Sequence, residues 1–153
     1  MRAFISYSIN DKDQFILTLL SSELIKKGYE ISQSVDFQKE EISSLTKINI
    51  SKSELFIGII TGNGFEQKRI MHEWRRAQVG RVPAILLVEN TVPISDKFKF
   101  AYVVFNRKKP QQAIENLKLV LNKHEEKKQK DTKALNFVLG SAALLLVLSL
   151  LDD

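Results

Sequence analysis

Leu55-Phe56-Ile57-Gly58-Ile59-Ile60, then Thr61-Gly62-Asn63-Gly64, then a run from Phe65 or Glu66 to Val79, is the stretch that decides the fold. Six apolar or small residues ahead of a Gly-Asn-Gly turn suit a strand buried on both faces, as in the middle of a parallel sheet. The run that follows is helical. On a 3.6-residue period Ile70, Trp74 and Ala77 share one stripe, and Glu73 falls on it. Burying that carboxylate without a partner costs several kcal/mol, on the order of a lost charge-assisted contact or more. Two readings of it stand: a polar cavity at the edge of the core, or an ion pair at the stripe border with Arg69, Arg75 or Arg76.

Working outward, the same alternation repeats on both sides. Met1–Tyr7 has no long apolar region of the kind a secretory signal carries and reads as a first strand. Asn10 or Asp11 suits the N-cap of the next helix. That helix has Phe15, Ile16, Leu19, Leu20 and Leu24 inward, two lysines in its last turn and Gly28 as its stop. Tyr29–Val35 is a second, more exposed strand. Within Phe37–Ile50 an irregular loop leads to a helix with Ile42, Leu45, Ile48 and Ile50 as inward candidates. Beyond the central helix, Gly80-Arg81-Val82-Pro83 is a break and Ala84–Val88 an apolar strand. Pro93 marks a loop, Tyr102–Phe105 a fifth strand, and Pro110 the first turn of a helix with Ala113, Ile114, Leu117, Val120 and Leu121 on one side.

Five strands alternating with helices predict a three-layer α/β domain over residues 1–123, a flavodoxin-like parallel sheet in the order 2-1-3-4-5. In such sheets ligands sit outside the carboxyl ends of the strands, here Tyr7-Ser8, Asp36-Phe37 and the Thr61–Gly64 turn. The chain has 153 residues, 44% hydrophobic and 27% charged, as expected for one domain with a real core. It has no cysteine and two histidines, so disulfides and thiolate metal sites are excluded and no metal site is expected. His72, about 100° around the helix from Glu73, is expected in solvent, and Trp74 in the core. The net charge is +5, with the basic excess between residues 107 and 133, which does not by itself point to nucleic acid as a partner.

The tail is a separate matter. Residues 124–133 are charged and polar and read as a helix extension or linker. Residues 134–151 carry no charge and, as a helix, span roughly 27 Å, close to the hydrocarbon thickness of a bilayer. The reading is a single-pass transmembrane helix; Lys127, Lys128, Lys130 and Lys133 before it keep the domain on the cytoplasmic side.

Phe4-Ile5-Ser6-Tyr7-Ser8 with Asp11-Lys12-Asp13, Leu20 and Leu24 before Gly28, Ser53-Glu54-Leu55-Phe56-Ile57, and Glu73-Trp74 with Ala77 and Pro83-Ala84-Ile85 together resemble a Toll/interleukin-1 receptor-like (TIR) domain. The nearest kind is that of bacterial antiphage systems such as Thoeris. The resemblance implies cleavage of NAD, as substrate and not cofactor, at the nicotinamide–ribose bond, with Glu73 catalytic. Water then gives ADP-ribose, and an adenine nitrogen gives a cyclic signalling product. It implies that Tyr7, Ser8, Asp36 and Phe37 contact or cover the nucleotide. Arg69, one turn before Glu73, departs from the family, where several catalytic members have an aromatic residue; an arginine there holds the pyrophosphate or neutralises Glu73. The resemblance further implies homo-oligomers through TIR contacts at the lipid bilayer and a separate effector protein. The rival within the family is a non-catalytic scaffold recruiting partners by homotypic contact. A phosphorylated receiver domain shares the fold but needs acidic residues where this chain has Thr61 and Tyr7-Ser8. A nucleoside-processing transferase with a glutamate nucleophile on a related sheet is the remaining alternative.

Overall fold

The computed structural model describes residues 1–98, 100 and 102–130. Strand β1 (Arg2–Ser6) is followed by a single 3₁₀ turn (Asp11–Asp13), helix α1 (Gln14–Lys26), β2 (Glu30–Gln33), α2 (Ser44–Ser51) and β3 (Leu55–Ile60). Then come α3 (Gln67–Val79), β4 (Ala84–Glu89), β5 (Val103–Phe105) and α4 (Pro110–Lys130). The five strands form one parallel sheet in the order β2-β1-β3-β4-β5. This is the predicted topology, and its switch point lies between β1 and β3.

Both faces of the sheet are covered, which is why β3 and β4 read as unbroken apolar runs. Side chains of one parity, among them Ala3, Ile5, Leu55, Ile57 and Ile85, pack against α1 and α4. Those of the other parity, Phe4, Phe56, Ile60, Leu86 and Val88, pack against Ile70, Trp74 and Ala77 of α3 and Ile50 of α2. Gly58 makes the close approach of α3 feasible: a Cβ there would stand 2.9 Å from Leu86 Cδ1 and 3.3 Å from Ile70 Cγ2. Gly28 ends α1 at φ +87°, the left-handed turn that its place after two lysines foretold.

Two helix faces differ from the sequence reading. In α1 the buried residues are Ile16, Leu17, Leu20 and Leu24, whereas Phe15 is 58% exposed and Leu19 only half-buried. The 3₁₀ turn, closed by Asn10 Oδ1 accepting the Asp13 amide at 3.1 Å, precedes the helix start, and the inward face carries Leu17 in place of Phe15. In α2, Leu45 and Ile48 are exposed while Thr46 and Ile50 are buried. Thr46 is drawn in by the helix cap, donating its amide to the Ser43 hydroxyl at 3.3 Å.

No helix among the described residues is long and apolar enough to cross a membrane. Residues 134–151, where the transmembrane helix is expected, lie outside the described residues.

Candidate functional site

The site is built at the carboxyl ends of β1 and β3, where α3 begins. Strand alternation sends Phe4 and Ser6 to the same face of the sheet, toward α3. Ser6, the last residue of β1, has its hydroxyl donating to Glu73 Oε2, and both residues are fully buried. Arg69, one turn before Glu73 on α3 and 1% exposed, donates from Nη1 to Glu73 Oε1 at 3.0 Å. The same guanidinium donates from Nε to Glu66 Oε1 at 3.2 Å and from Nη2 to the Tyr7 carbonyl. Its plane lies over the Phe37 ring, with Cζ 5.0 Å from the ring centroid. Of the two readings of Glu73, the ion pair is the one met, in part. Glu73 is paired with Arg69, not at a surface border but in the interior beside the sheet's switch point.

Other predicted residues surround this pair. The Phe37 ring tilts against Tyr7 at 5.2 Å, and the Tyr7 hydroxyl donates to Gln33 Oε1 at 2.8 Å. Burial pushes that hydroxyl above its usual pKa of 10.0, with Arg69 opposing and Glu66 reinforcing the shift. Tyr7 also lines a groove of about 530 Å³ between α1 and β2, with Gln14, Ser21, Ile31 and Gln33. Ser8 is buried and accepts the Glu66 amide at 3.1 Å. Asp36 is turned the other way: its Oδ2 accepts from the Ser43 amide at 2.8 Å and hydroxyl at 3.0 Å, so it braces the start of α2. Burial raises the Asp36 carboxyl, but hydrogen bonds from Thr46 and Ser43 outweigh it and leave it below the usual 3.8. His72 is not simply solvated, since its Nδ1 sits 3.1 Å from the Glu40 carbonyl oxygen.

A second buried network occupies the ends of β3, β4 and β5. Arg107 joins Glu89, the last residue of β4, to Asp13, whose Oδ1 is 2.7 Å from Nη2. Thr61 and Asn10 donate to the other Asp13 oxygen. Glu89 Oε1 accepts from the Gly62 amide at 3.0 Å and the Thr91 hydroxyl at 2.7 Å. The Gly62-Asn63-Gly64 turn is therefore tied down by a carboxylate, and the amide of Gly62 is not free for phosphate. Among the described residues no cluster of three or more His, Asp or Glu is placed to hold a metal ion.

Sequence reasoning missed Ser6 and Glu66. Parity along β1 was a usable signal for Ser6. Glu66 had no signal, because its partners come from loops distant in sequence.

A doubly wound sheet with a buried carboxylate at its switch point is the class that fold and site define. No family model matches the chain, and no curated protein matches it. Among solved structures it is similar to the CMP N-glycosidase BcmB of Clostridium botulinum, at 17% identity and TM-score 0.56, over 78% of this chain and 100% of that one. It is also similar to a 2-deoxyribosyltransferase of Bacillus psychrosaccharolyticus, at 15% identity and TM-score 0.50, over 67% of this chain and 85% of that one. These likenesses overturn the TIR assignment. The physical reason lies in the residues that carried it. Phe4, Ile5, Leu20, Leu24, Leu55, Phe56, Ile57, Trp74, Ala77 and Ile85 are all core positions, which any sheet of this topology must fill with such side chains. The antiphage role and the homotypic contacts rested on that assignment alone.

Proposed function

We propose that the chain cleaves the N-glycosidic bond of a nucleotide, with Glu73 as the carboxylate that faces the reacting sugar carbon. The observation that carries this reading is Glu73 itself, a fully buried carboxylate at the β1/β3 switch point, oriented by the Ser6 hydroxyl and the Arg69 guanidinium. In the reaction the C1′–N bond breaks, its electron pair leaves with the base, and positive charge grows on C1′ and the ring oxygen. Glu73 stabilises that charge or adds to C1′; water then completes the sugar and releases a proton. The Ser6 hydroxyl holds the Glu73 carboxylate in one orientation, which keeps its second oxygen available once Arg69 moves off.

NAD is the substrate this site favours. Its pyridinium leaves as neutral nicotinamide and needs no proton, whereas ordinary purine and pyrimidine bases leave best when protonated. Among the described residues the hydrogen-bond partners of Glu73 are Ser6 and Arg69, neither of them an acid suited to that transfer. The names of the two structural neighbours, a CMP N-glycosidase and a 2-deoxyribosyltransferase, fit chemistry at a sugar–base bond. The test is chromatographic detection of free base after incubating the full-length protein with NAD, CMP and deoxyadenosine in parallel. Nicotinamide release is the expected result. Cytosine or adenine release alone would replace NAD by another nucleotide or nucleoside, and release from none of the three would end the cleavage reading.

A further inference from the structure

We infer that Glu66 is the positioning residue of this site, a latch that closes two loops over the Arg69–Glu73 pair and so decides when Glu73 meets substrate; the inference rests on the proposed role of Glu73. With Glu73 at zero exposure and Arg69 at 1%, this conformation admits nothing to the carboxylate. What covers the pair is identifiable. Phe37 lies across the guanidinium with the Tyr7 ring against it, and the Tyr7 carbonyl accepts from Arg69 Nη2. Phe37 begins a strap that runs over the first turns of α3, and Tyr7 begins the loop after β1.

One side chain ties both loops, beside the Ser8 hydroxyl that accepts the Glu66 backbone amide at 3.1 Å. Glu66 Oε1 accepts the Gln38 amide, and Glu66 Oε2 accepts the Ile9 amide at 2.9 Å. The same carboxylate takes the Arg69 Nε–H, and its side chain is 10% exposed. Amide bonds to a carboxylate are among the stronger hydrogen bonds. The strap's other ties are weaker. Lys68 and Glu40 pair at 2.8 Å but are 63% and 74% exposed, where an ion pair contributes little. His72 adds one exposed contact to the Glu40 carbonyl oxygen.

The backbone shows that the strap is held against its own preference. Gln38 has φ +65°, the left-handed region that residues with a Cβ rarely adopt. The amide bound by Glu66 belongs to that same residue. Release of Glu66 lets Gln38 return to an ordinary conformation, carrying Phe37 off the guanidinium. Arg69 then has room to leave Glu73, and the carboxylate opens to the carboxyl edge of the sheet. A strained residue fastened by one carboxylate is a two-position element, the kind that gates a site.

The test compares full-length wild type with Glu66→Gln and Gln38→Gly by amide hydrogen exchange and by carbodiimide–amine labelling of Glu73, located by mass spectrometry. A glutamine offers one acceptor oxygen for two amides and turns an N–H toward the other. Glu66→Gln is therefore expected to speed exchange at Ile9 and Gln38 by tenfold or more and to make Glu73 label readily, with the core amide of Leu86 unchanged. Gln38→Gly removes the backbone strain and keeps the latch, so exchange at Ile9 and labelling of Glu73 are expected to slow several-fold. The base-release assay under Glu66→Gln adds a lower KM, since the binding-competent form is more populated. Unchanged exchange and labelling in Glu66→Gln would overturn the inference, as would a rise that includes Leu86, which is general loosening. Local opening in a protein that releases no base from any nucleotide would keep the latch and remove the cleavage reading.

Discussion

Replacing Arg69 by methionine leaves a similar volume and removes the cation paired with the buried Glu73. Glu73 Oε1, 3.0 Å from the lost nitrogen, keeps no other hydrogen-bond partner among the described residues, and the Tyr7 carbonyl loses the Arg69 donor. Breaking a buried ion pair from one side costs about 3–5 kcal/mol, and the lost stacking over Phe37 adds about 1 kcal/mol at most. A loss of about 4 kcal/mol is expected. The urea midpoint then falls by about 2 M for a slope near 2 kcal/mol per M. Trp74, the sole tryptophan and buried beside Glu73 on α3, reports the transition by fluorescence. The second arm is Arg69→Met with Glu73→Met, which removes both charges. Its cost is expected to be smaller than that of Arg69→Met alone, because no buried carboxylate is stranded. A loss under about 1 kcal/mol for Arg69→Met, the value of a solvated surface pair, would refute the account of a desolvated pair.

Two further expectations concern the scaffold. Burial pushes the Glu89 carboxyl up, but its bonds from Arg107, Thr91 and the Gly62 amide outweigh this and hold it below its usual value of 4.5. A lowered folded-state pKa gives stability that is present above 4.5 and lost as pH falls through the folded value. Arg107→Leu should therefore cost about 2 kcal/mol at pH 7 and flatten the acid limb of the stability curve, measured by urea titration from pH 7 to pH 3. Gly58→Ala should cost about 1–3 kcal/mol by thermal melting, because the added methyl meets Leu86 and Ile70 in a filled core.

The apolar runs of β3 and β4 declared a doubly covered sheet, and the alternation with helices was enough for the order 2-1-3-4-5. Glu73 was legible because a carboxylate on the stripe of Ile70, Trp74 and Ala77 breaks a local rule, and such breaks gather at functional sites. The face of α1 was less legible, since Phe15 and Leu17 are both apolar and composition does not decide which goes inside. Leu45 and Ile48 look inward by composition; the cap that buries Thr46 is a contact from Ser43 and Asp36, outside the helical period. Family assignment failed for a related reason. The residues that suggested it are demanded by the sheet, and core requirements are shared by unrelated activities. Glu66 was hidden altogether, because its meaning comes from Ile9 and Gln38, 57 and 28 residues away.

Base release from NAD by full-length wild type beside Glu73→Gln reads the proposed action of Glu73 on a sugar–base bond. The variant keeps the size of the side chain and an acceptor for Ser6, while Arg69 retains Glu66 and the Tyr7 carbonyl. The account predicts nicotinamide release by wild type and a loss of about 10²–10⁴-fold in a variant that unfolds cooperatively. Equal release by the two proteins would contradict it.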